Sequence, residues 1–212
     1  MLCAVAAAVL PLARAEIIDR IAVSVGNDVI TTSDLEREIR VTAFLNRMAP
    51  DLSAGNKRAT AERMVDQDLV RRELQVSKYP GPQPAAADQE LKEFRKDNFP
   101  VDADFERALQ QAGISQQDVR DELLWQLTLL RFVEIRFQPG IQVSEQDVEN
   151  YFEKTVKPAA QAAHPGQPVP LSDYRNEIEE TLSGQRADKE LDKWLKEARQ
   201  RTDLVYHEEA FR

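Results

Sequence analysis

The chain has 212 residues, 42% hydrophobic and 31% charged, which excludes a disordered polypeptide and leaves room for one sizeable core or two small domains. Only 7 glycines argue against an all-β protein built on tight turns. A net charge of −9 without a basic cluster excludes nucleic acid and disfavours anionic membrane surfaces, because both require concentrated Lys and Arg.

Residues 1–15 read as an export segment with an apolar run, a break at Pro11 and the A-x-A pattern Ala13-Arg14-Ala15, so cleavage is expected after Ala15. No Lys or Arg precedes the run, so either the signal is atypical or the true start lies upstream. A buried N-terminal helix is the competing reading. Cleavage removes Arg14 from the 28 basic residues, leaving 27 against 37 acidic ones, net −10. It also removes Cys3, the single cysteine, so no disulfide, thiol nucleophile or Cys-ligated metal is expected in the mature chain.

Residues 17–31 alternate apolar and polar around Gly26-Asn27-Asp28, the pattern of a short hairpin. Ser33 and Glu36 match a capping box that opens a helix to about Met48. Pro50 to Asn56 reads as a loop, and a second helix is predicted from Lys57 to Lys78, stopped by the Pro-rich 79–84. Helices follow at about 86–98 and 102–112, the latter stopped by Gly113. From the Ser115 cap, Val119, Leu123, Leu124, Leu127, Leu130 and Phe132 make the next helix apolar on more than one face, which predicts a central core helix. Ser144 and Asp147 cap another helix of one to three turns.

Residues 157–171 are Pro-rich, without an apolar period, and read as a linker or exposed loop. A long helix is predicted from a cap at Ser172, mildly interrupted at Gly184, with Tyr174, Ile178, Leu182, Leu191, Trp194 and Leu195 on its apolar side. Residues 202–208 form a candidate strand. Its only available partner is the N-terminal hairpin, so the two chain ends are predicted to pair. The fold class is therefore mainly α, a multi-helix domain with a small β element formed by an N-terminal hairpin and a C-terminal strand.

Chemistry-bearing patterns are absent. His164 and His207 lie far apart in sequence, and there is no metal-ligand spacing, Gly-rich phosphate loop or G-x-S-x-G elbow. Carboxylate pairs such as Glu179-Glu180 and Glu208-Glu209 read as solvated faces rather than an acid/base site. No catalytic residue, cofactor or metal is expected. The chain does carry more Phe, Met and Trp than one obvious seam needs. Each is most simply a core residue, yet short helices separated by Pro-rich loops leave grooves between them, and Met and aromatic surfaces suit promiscuous binding. Phe44, Met48, Met64, Phe94 and Phe99, apolar and near helix ends or loops, are the candidate peptide-binding residues.

The order of these elements is similar to that of a known family. Asp19, Ile21, Val25, Val29, Ile30, Thr31, Ser33, Asp34 and Leu35 match the opening phrase of the N-terminal domain of the SurA family of periplasmic chaperones. Val143 to Phe152 resembles the phrase that closes that domain, and Trp194-Leu195 with the strand beyond resembles the family's final helix and strand. The resemblance covers 16–156 and 172–207. It implies a chaperone domain at 16–156, a C-terminal segment at 172–212 that packs back upon it, and a periplasmic location. Family members usually carry parvulin isomerase domains of roughly a hundred residues between these parts. Here 157–171 is far too short, so chaperone function is expected without isomerase activity. The implied activity is ATP-independent holding of unfolded or nascent exported proteins, outer-membrane proteins among them, with no stable membrane insertion. The alternatives are a module serving one dedicated partner or dimerising by exchange of helices, and a divergent prolyl isomerase.

Overall fold

A computed structural model describes residues 19–212; the expected export segment, its cleavage after Ala15 and the strand residues Ile17 and Ile18 lie outside the described residues. Strands β1 (Ile21–Val25) and β2 (Asp28–Thr31) form the hairpin. Positive φ falls on Gly26 (57°) and not on Asn27, as a type II′ turn requires. Helices α1 (Thr32–Leu45) and α2 (Ala54–Ser77) follow, then α3 (Pro84–Asn98), α4 (Asp102–Ala112) and α5 (Gln116–Arg136). After a short 3₁₀ turn come α6 (Glu145–Tyr151), a π-helical turn (Phe152–Val156), α7 (Lys157–Ala163) and α8 (Arg175–Arg201). Strand β3 (Leu204–Tyr206) and a 3₁₀ turn (Glu208–Phe211) close the chain.

The expected meeting of the chain ends is observed. The sheet order is β2-β1-β3, antiparallel throughout, with Val23 opposite Tyr206 and Val25 opposite Leu204. Backbone bonds from Gly26 N–H to Asp203 O (2.8 Å) and from His207 N–H to Ala22 O (2.9 Å) extend this closure, and Ser24 Oγ lies 3.2 Å from His207 Nε2.

Several boundaries differ from the sequence expectation. The capping box at α1 is Thr31 with Asp34, not Ser33 with Glu36. Thr31 ends β2 in extended geometry, as an N-cap needs, whereas Ser33 bonds instead to Asp19. The same helix stops at Leu45, not Met48, in a Schellman motif. Met48 N–H reaches Ala43 O (2.9 Å), Arg47 N–H reaches Phe44 O (3.1 Å), and Arg47 takes positive φ. Ser172 does not cap α8: it sits in a 3₁₀ turn beside Asp173, and the helix starts three residues later. Gly184 does not interrupt that helix.

The segment 157–171 is only partly a loop, because 157–163 is helical. Four alanines favour helix there, and the wide π turn directly before Pro158 accommodates the missing N–H and the ring that would clash in a regular helix. Loop structure is confined to the stretch around His164–Pro170.

Buried side chains gather in four clusters. The first packs Val23, Val25, Ile30 and Leu35 against Ala61, Val65 and Leu69 of α2, sealed by Phe211. The second joins Phe44, Leu91, Phe105, Leu109 and Val119; the third joins Val70, Trp125 and Phe132 with Leu191, Trp194 and Leu195. The fourth holds Val148, Phe152 and Ile178. The α5 helix divides its apolar faces between the second and third clusters rather than lying enclosed in one core, and Leu130 remains 63% exposed. The 27-residue α8, about 40 Å long, contributes to the first, third and fourth clusters and binds them together.

Candidate functional site

The five candidate peptide-binding residues do not form one groove. Phe44, Phe94 and Phe99 come together inside the second cluster, where Phe44 and Phe99 stack at 5.7 Å and Phe105 closes edge-on. Phe44 is buried and the other two half-buried, so most of their ring surface is already used. Phe99 also borders a surface hollow with Asp88, Lys92, Arg95 and Lys96 around it. Met64 belongs with the first cluster, and Met48, past the end of α1, is 70% exposed. For Phe44, Phe94 and Phe99, proximity to helix ends selected residues that the helices need for their own packing.

A better-formed site lies between α1, α2, α5 and α8. There a cavity of about 320 Å³ is walled by Val70, Trp125, Leu129, Leu191 and Leu195. Leu129, Leu191 and Leu195 are half-buried, so apolar surface faces the opening. Trp125 is nearly covered, with the Arg71 guanidinium 4.5 Å over its ring. Helix α1 packs on α2 and α5, and α8 packs on the same two, so the space is bordered by all four helices, with Thr42, Gln67 and Gln126 among the side chains that line it.

The polar rim is mostly paired. Asp66 accepts from Arg199 at 2.6 Å, and Glu38 lies 3.5 Å from Arg63 and accepts from Gln67 at 3.4 Å. Glu122 is different. It accepts one bond from Gln126 (3.0 Å) and has no ion-pair partner among the described residues. Burial, and secondarily the neighbouring Glu38 charge, push its carboxyl up to about 7. Glu122 also borders a second hollow of about 340 Å³, which Asp34, Glu38, Asp68, Asp118 and Asp121 surround.

No sequence pattern marks this site. Glu122 stands in "RDELLWQL" as an ordinary polar residue of an amphipathic helix, and only the approach of α1 and α8 makes its position unusual. The excess apolarity of α5 is the one signal that points towards it.

Among the described residues no group of His, Cys, Asp and Glu is arranged to hold a metal ion, and no helix is long and apolar enough to cross a membrane. Compared with known proteins, the chain matches no family model and no curated protein.

Proposed function

We propose that this protein is an ATP-independent periplasmic chaperone that holds extended apolar segments of unfolded exported proteins in the Trp125-walled cavity. The observation that carries this reading is an open, apolar-walled space of about 320 Å³ at the junction of four helices, the size and lining of a site for one or two large side chains. The resemblance of the ordered sequence phrases to those of the SurA family supports it, as does the sheet that joins the two chain ends. Binding is weak and reversible, because a client gains only the burial of short apolar stretches while its aggregation-prone surface is shielded.

The test dilutes an unfolded outer-membrane β-barrel protein into buffer with and without this protein. Light scattering should fall at equimolar ratio without ATP, and Leu191→Gln should raise the amount required about threefold or more, roughly 0.7 kcal/mol of lost binding. Aggregation unchanged across about a tenfold excess overturns the reading. A fixed dimer without client affinity would then indicate a dedicated assembly role.

A further inference from the structure

Resting on that reading, we propose that the site selects client segments in which an apolar side chain is flanked by lysine or arginine: the apolar group enters the Trp125-walled cavity and the cation meets Glu122 and the acidic hollow beyond it. The two spaces are adjacent and share one residue, Glu122, as their common wall. One side of that wall is lined by Val70, Leu129, Leu191 and Leu195. On the other side the lining holds six carboxylates against two guanidinium groups, those of Arg37 and Arg71.

The local charge inventory supports a cationic occupant. From α1, Asp34 is held by Arg37 at 3.3 Å and Glu38 by Arg63 at 3.5 Å. From α2, Asp66 is taken by Arg199, and Arg72 lies 2.8 Å from Asp68, whose carboxyl burial pushes up despite that neighbour. On α5 itself, Asp118 serves the helix cap and Asp121 accepts from Gln117 at 2.7 Å. Apart from Arg199, α8 contributes leucines to the lining, and β2 contributes Val29 and Ile30. Arg63 and Arg71 of α2 lie near enough to offset part of the burial penalty on Glu122, but neither forms an ion pair with it. Among the described residues Glu122 is thus a half-buried carboxyl without an ion-pair partner, at the boundary between an apolar space and a net-negative one. An arriving ammonium or guanidinium supplies the missing partner, and its apolar neighbour in the segment fills the cavity. Excess negative potential in a concave site also speeds the approach of such segments.

The experiment measures binding of labelled extended peptides to the full protein by fluorescence anisotropy. One peptide carries leucines followed by lysines; a second has glutamine in place of every lysine. Near pH 8 the lysine peptide should bind about tenfold tighter, and the preference should shrink at least threefold in Glu122→Gln. The same narrowing is expected for the unaltered protein near pH 5, where Glu122 is protonated. Asp121→Asn, on the exposed rim of the hollow, should reduce the preference without touching the apolar cavity. Equal binding of both peptides near pH 8, or a preference unchanged in Glu122→Gln, overturns this inference and leaves the chaperone reading standing. Failure of both peptides to bind overturns the two together.

Discussion

Glu122 makes the clearest residue-level prediction because its environment opposes its charge. Below about pH 4.5, its ordinary value, the carboxyl is neutral in both folded and unfolded chains and costs nothing. As pH rises from there towards 7, the unfolded chain releases the proton and the folded one retains it, so stability falls and the full cost is present above about 7. Glu122→Gln should therefore be near neutral at low pH and stabilise by about 1–2 kcal/mol near pH 8, after allowance for solvent reaching a half-buried group. Urea midpoints at the two pH values measure this; equal effects at both would mean that the carboxyl is solvated. At Gly26, by contrast, the backbone forces the identity of the residue. Its φ is +57°, and a Cβ there would stand 2.9 Å from Arg72 Nη1, whose guanidinium bonds Val25 O and pairs with Asp28 at 2.8 Å. Gly26→Ala should cost about 1–2 kcal/mol in thermal or urea unfolding, from the left-handed backbone and the displaced arginine.

At the scale of elements, capping chemistry was legible at two helix starts and misread at Ser172, which sits in a 3₁₀ turn ahead of α8. Ser115 with Asp118 and Ser144 with Asp147 both form the boxes read from their spacing. Where two candidates overlapped, as at Thr31 and Ser33, the strand end decided, because an N-cap must be extended. At 157–163 composition misled in the other direction: a proline ahead of the alanines looks like a break, but it falls in the first turn of α7, just after a π turn, and the helix continues. The C-terminal tail shows a further element that pattern alone did not reveal. Beyond β3, Ala210 and Phe211 turn back and are buried against the first cluster, while Arg58 lies 4.0 Å over the Tyr206 ring and pairs with Glu208. Deleting 203–212 removes β3, this aromatic seal and the cation–π contact together. With roughly 1.5–3 kcal/mol for the phenylalanine alone, the melting temperature should fall by about 10 °C or more. A drop of only one or two degrees would show that the tail is ornamental to the core.

For the whole molecule, the governing fact is that one long helix serves three of four clusters. The α8 helix meets α6 at its start through Ile178, α5 in its middle through Trp194 and the sheet cluster at its end through Ala198, and Arg199 fastens it to Asp66 of α2. The cavity belongs to that arrangement: Leu191 and Leu195 of α8 face Val70 of α2 and Trp125 and Leu129 of α5 across the Trp125-walled space. The sequence by itself determined the class of fold, most of its helices and the meeting of its ends, because these depend on local periodicity, turn residues and the lack of any other partner for a lone strand. Only the tertiary structure decided which aromatic residues are used up in packing and which carboxyl lacks a cation. Phe44, Phe94 and Phe99 look no different in sequence from groove residues until α1 and the end of α3 meet and Phe105 of α4 packs edge-on against them. Likewise Glu122 is inconspicuous until α1 brings Glu38 near and α8 walls the adjoining space. Exposure and pairing are properties of side chains distant in the chain, and no local pattern encodes them.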